Sequence, residues 1–83
     1  MRARSHYRLI ITRGGHAPAF MAGPDRHDRV EILEIDSNEV VLFWELRPGE
    51  ASKLARRLRV DLAELDPEQF LDAWMPTQAP LGA

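Results

Sequence analysis

The sequence predicts an α+β domain: an antiparallel sheet of three or four strands, built from hairpins, followed by a C-terminal helix pair packed on one face of it. Three observations carry this. Apolar residues before Arg47 recur with period two, the spacing of half-buried strands. From Ala51 they recur at threes and fours, the spacing of a helix face. At Asp66 a capping box opens a second helix. Strands first and helices afterwards is the α+β order.

The first strand is predicted over residues 6–13, with Tyr7, Leu9 and Ile11 on one face and Arg8, Ile10 and Thr12 on the other. Gly14-Gly15 accepts positive φ and can turn a tight hairpin. The returning arm would be residues 16–22, where Pro18, lacking a donor N–H, allows only an edge strand or an irregular loop. Gly23-Pro24-Asp25 is a turn signal. Residues 29–36 form the next strand. Its alternation is imperfect: Val30 and Ile32 share one parity, Leu33 and Ile35 the other. Either both faces are partly covered or a bulge lies near the middle. After a turn at Asp36-Ser37-Asn38, residues 39–46 form the strongest strand. Val40, Leu42, Trp44 and Leu46 are expected on one face, Val41 and Phe43 on the other.

Pro48-Gly49 is read as the end of the sheet region. Ala51, Ala55, Leu58, Leu62 and Leu65, with Leu54 beside them, make one stripe on a helix of about four turns. The periodicity leaves open a break near Val60-Asp61. Asp66 is the N-cap of the next helix, Pro67 its first residue and Gln69 the third, completing the capping box. Leu65 and Phe70 can staple the entry. This helix runs to about Trp74, and Pro76 ends it. Residues 1–83 are read as one domain, with a basic N-terminal arm over residues 1–5 and a flexible tail over residues 76–83.

Composition narrows the function classes. An 83-residue chain has room for one core. Without cysteine there is no disulfide framework, thiolate metal site or cysteine nucleophile. Arginine, alanine and leucine usage suggests a GC-rich bacterial genome. The N-terminus is basic, but its apolar run at residues 9–11 is too short for a signal peptide or a membrane helix. The expectation is a cytoplasmic protein with no membrane association. The net charge of −2 hides blocks of alternating sign. Residues 1–29 carry six arginines against two aspartates, and residues 30–50 one arginine against six acids. Residues 51–60 carry four bases and no acid, residues 61–83 five acids and no base. Complementary faces, within or between molecules, follow more naturally than a uniformly basic nucleic-acid binder.

Several constellations could carry chemistry. His16 and His27 with Asp25 and Asp28 supply metal-ligand types, but Arg26 and Arg29 sit among them and no HxxxH or HExxH spacing occurs. None of Ser5, Ser37 and Ser52 lies in a GxSxG elbow. Glu31, Glu34, Glu39 and Glu45 could supply an acid–base pair, but they also suit the exposed edges of a hairpin. Gly14-Gly15 is not part of a phosphate loop. No cofactor is expected, and no catalytic or metal residue is assigned. LARRLRVDLAEL resembles the first helix of helix-turn-helix repressors, but the strands before it and the missing recognition helix argue against membership.

Two surfaces remain. Ile10, Val41 and Phe43 would align on the sheet face away from the helices, an apolar set suited to an interface, with Phe43 as anchor. Arg2, Arg4 and Arg8 on the arm, with Lys53, Arg56, Arg57 and Arg59 on the long helix, are the candidate phosphate contacts. Pairing of Arg57 with Asp61 along the helix would make that surface an ordinary solvated one. The leading reading is therefore a non-catalytic protein-interaction domain, a homodimer or the binder of a protein partner. Nucleic-acid binding is the second reading. A small enzyme or metal protein using the histidines of residues 12–29 is the third.

Overall fold

The alternation in the first half of the chain becomes a sheet, and the change of period marks where helices begin. A computed structural model describes residues 1–13 and 27–78. Its strands are β1 (Tyr7–Thr12), β2 (Asp28–Glu34) and β3 (Val40–Leu46), followed by helices α1 (Pro48–Glu64) and α2 (Pro67–Trp74). Single 3-10 turns lie at Ala3–Ser5 and Met75–Thr77. The sheet order is β1-β2-β3, antiparallel throughout. The expected glycine turn and returning arm of residues 14–22 lie outside the described residues, as does the tail beyond Gln78.

The inner sheet face follows from the register. Leu9 pairs with Ile32 and Ile32 with Leu42, while Ile11 pairs with Val30 and Val30 with Trp44. Val30, Ile32 and Leu42 are fully buried, together with Leu58 of α1 and Phe70 of α2. The α1 residues Ala51, Ala55, Leu58 and Leu62 are its buried positions, the predicted stripe. Tyr7 stacks on Phe70 at 5.8 Å, and Trp44 meets Trp74 edge-to-face at 5.9 Å. These ring contacts join sheet to α2.

The uneven alternation of β2 reflects apolar residues on both faces, Val30 and Ile32 inside and Leu33 outside, and the bulge beside Ile32 and Leu33 lies on β3. Ile32 pairs with Leu42, but Leu33 pairs with Val40, so Val41 is the extra residue. One unpaired residue reverses the parity of what lies beyond it. Val41, expected on the outer face, packs against the core. Val40, expected inside, is 46% exposed. The bulge therefore corrects both placements. Beyond it, Asn38 takes a positive φ of 61°, the left-handed conformation asparagine tolerates best among non-glycine residues, and its N–H closes the turn on the Glu34 carbonyl at 2.8 Å. β2 thus stops at Glu34, two residues before the predicted end.

The long helix begins three residues earlier than the apolar stripe suggests and runs unbroken through Val60-Asp61. Pro48, read as a terminator, occupies its first turn, where a missing N–H costs nothing and the fixed φ is already helical. The entry to α2 is as predicted. Gln69 N–H donates to Asp66 Oδ1 at 2.8 Å and Asp66 N–H donates to Gln69 Oε1 at 3.1 Å. Leu65 and Phe70 both join the core.

The two ends of the described chain are tied down. Ala3 N–H donates to the Leu65 carbonyl at 2.7 Å and Arg2 Nη1 to the Glu64 carbonyl at 2.6 Å. α1 has no basic residue in its last turn. Arg2, from the other end of the sequence, brings a cation to its negative pole and to a carbonyl left without a helical partner. Within residues 1–5, expected as an arm, Arg2 and Ala3 therefore cap the C-terminal end of α1, with Ala3 fully buried. After α2, where a tail was expected, Thr77 and Gln78 bond to β3.

Candidate functional site

The face of the sheet away from the helices is set by the same register. It holds three rows: Arg8, Leu33 and Val40; Ile10, Glu31 and Phe43; Thr12, Arg29 and Glu45. Phe43 is 51% exposed, and Ile10 and Leu33 are half-buried. The predicted trio of Ile10, Val41 and Phe43 is thus brought together only in part. Ile10 and Phe43 share a row, with Glu31 between them. Leu33 and Val40 replace Val41. The surface is a mosaic of four apolar side chains and two charges of each sign.

Phe43 is held in a defined setting. The Arg29 guanidinium lies 5.6 Å from the centre of its ring, a cation–π distance. Arg29 Nη2 also donates to Glu45 Oε1 at 2.7 Å. That bond, the charge of Glu45 and then the charge of Glu31 hold the Arg29 pKa above its ordinary value, so it stays cationic at any working pH. Both partners are about half exposed, so the pair orients side chains more than it stabilises the fold.

The basic candidates separate. Arg2 bonds the end of α1. The Arg57 guanidinium lies 5.6 Å from the Trp74 ring centre, and Asp61 Oδ2 accepts the Trp74 Nε1–H at 2.9 Å. Trp74 therefore stands where the Arg57–Asp61 pair was expected, taking a contact from each. Arg4 is exposed within the N-terminal turn, and Arg8 belongs to the outer sheet face. Lys53, Arg56 and Arg59 are exposed on α1.

Among the described residues weighed for catalysis or metal binding, Glu34, Ser37 and Glu39 meet at the β2–β3 turn. Ser37 donates to Glu34 Oε1 at 3.0 Å and accepts the Glu39 N–H at 3.2 Å, which shapes the β2–β3 turn. His6 Nε2 lies 3.6 Å from Glu34 Oε2. Glu31 and Glu45 belong to the outer face. Asp28, 5% exposed, opens β2, while His16 and Asp25 lie outside the described residues. Among the described residues no group of three or more histidines and carboxylates could hold a metal ion. None of their helices is long and apolar enough to cross a membrane.

Sequence reasoning passed over Leu33, Val40 and the Arg29–Glu45 pair. Leu33 had a signal, its odd parity within β2. Val40 had none, because a bulge is decided by both strands. No protein-family model matches this chain, and comparison with curated proteins and with solved structures finds no match in either.

Proposed function

We propose that this domain is a non-catalytic protein-interaction module that associates with a second copy of itself through the outer face of its sheet. The observation that carries the reading is Phe43, half exposed at the centre of β3 among Ile10, Leu33 and Val40. An aromatic ring ringed by aliphatic and charged groups is the composition of an interface anchor and its rim. The charges favour a second copy. Arg8 and Arg29 are matched in number by Glu31 and Glu45, so the face can complement itself, as a two-fold contact requires. The absence of cysteine is in keeping with a cytoplasmic protein, and the arginine- and alanine-rich composition with a bacterial one.

The test is solution mass by light scattering across concentration, at low and high salt. Wild type is expected to be a dimer that persists in salt, because apolar contact survives screening. Phe43→Asp is expected to be a folded monomer whose melting temperature no longer rises with concentration and lies below that of the wild-type dimer. A wild-type monomer at every concentration would sink the reading.

A second reading is favoured by one observation: Lys53, Arg56 and Arg59 are exposed on α1 in a stretch without acids. This surface could meet nucleic-acid phosphates. Arg56→Glu with Arg59→Glu would then abolish any salt-sensitive mobility shift with DNA or RNA. Absence of a shift for wild type at low salt would remove this reading.

A further inference from the structure

Among the described residues β3 is an edge strand, with β2 on one side and the other side open to pairing. Its sequence, VVLFWEL, contains no proline or glycine and one charge, a composition that adds strands readily. β2 occupies one side. On the other, Phe43 N–H donates to Gln78 Oε1 at 3.0 Å. An amide that donates to Gln78 is not donating to β2, so this peptide group faces outward, and by alternation that of Glu45 does too. Gln78 is delivered there by the turn after α2. Its own N–H donates to the Met75 carbonyl at 3.0 Å. Thr77 Oγ1 accepts the Trp44 Nε1–H at 3.1 Å and donates to the Trp74 carbonyl at 2.6 Å.

We propose that Thr77 and Gln78 form a strap that keeps the β3 edge from pairing with β3 of a second copy of this chain, and that displacing the strap opens the edge to strand addition. The Gln78 carboxamide stands where the first peptide group of an incoming strand would stand. It is an incomplete substitute, because its Nε2 is buried with no acceptor, and an unmet buried donor is costly. A strand satisfies donors and acceptors alike. A second copy suits this edge. Antiparallel pairing centred on Trp44 sets Phe43 of each copy opposite Glu45 of the other, so their outward peptide groups bond reciprocally. No like charges meet, and the bulge at Val41 stays outside the contact. This goes beyond association through the outer face, and the two are separable: face-to-face contact leaves the Glu45 N–H exchanging freely, whereas edge pairing protects it.

The test compares wild type with the full chain carrying Thr77→Val and Gln78→Met, by amide hydrogen exchange and light scattering. In dilute solution the Phe43 amide is expected to exchange about fivefold to tenfold faster, the loss of one hydrogen bond. At raised concentration the variant is expected at twice the wild-type mass, with the Glu45 amide newly protected. Unchanged Phe43 exchange would overturn the strap. Faster exchange at unchanged mass would overturn self-pairing. Higher mass without Glu45 protection would overturn the edge assignment. If the double variant melts below the working temperature, Gln78→Met alone, which leaves the Thr77 bonds in place, carries the same readouts.

Discussion

The two faces of the sheet are made from alternate residues of the same strands, yet different forces order them. The inner face rests on Val30, Ile32 and Leu42, all fully buried against the helices. Its stabilisation is non-directional and scales with the area removed from water. The outer face rests on Arg29, placed between Glu45 and the ring of Phe43, and on a row in which Glu31 separates two apolar groups. Those contacts are directional, exposed and individually weak. One face holds the domain together. The other is free to be specified by what it meets.

The two faces differ most at two phenylalanines. Phe70→Ala is expected to cost about 3–5 kcal/mol, the range for emptying a buried aromatic site. At dilutions where the chain is monomeric, Phe43→Ala should stay within about 0.5 kcal/mol, like other exposed positions. Urea unfolding of both variants measures the gap, and similar losses would contradict the assignment of the two faces. The neighbouring valines divide in the same way. Val41, packed on the core, is expected to lose about 1–2 kcal/mol on replacement by alanine. Val40→Ala should cost clearly less, and the reverse order would move the bulge.

Gly49 offers a smaller change of opposite sign. A Cβ there would meet nothing within 4 Å. Gly49→Ala should raise stability by about 0.5–1 kcal/mol, because it restricts the unfolded chain within a helical turn. A lower melting temperature would refute the open surroundings.

The smallest effect is a dependence on pH. Burial, and then the charge of Glu34, hold the Tyr7 phenol above its ordinary value of 10.0. Its contribution is therefore complete below pH 10.0 and is lost as the pH rises through the folded-state value. Urea midpoints should fall on that alkaline side for wild type and fall less for Tyr7→Phe. Parallel curves would show that Tyr7 is not the group responsible.

Much of the fold was legible because it is local. The capping box at Asp66 and Gln69 needs only residues three apart, and the stripe from Ala51 to Leu62 only the pitch of a helix. The turn after Glu34 needs only an asparagine able to take positive φ. Misreadings arose where a residue has two local meanings. Pro48 ends a strand or begins a helix with equal ease, because its fixed φ and missing N–H suit both. The candidate face was half legible. Ile10 and Phe43 follow from parity, whereas Val41 does not, because one bulge reverses the count.

Composition and periodicity by themselves determined the order of strands and helices, the buried stripe of α1 and the start of α2, since these depend on backbone geometry repeated over short spans. Left to tertiary packing were the outward turn of Val40 and inward turn of Val41, the Arg2 cap on α1, the contacts of Trp74 with Arg57 and Asp61, and the reach of Gln78 to the edge of β3. Each joins residues whose meeting depends on how whole elements pack, and pattern along the chain does not encode a distance through space.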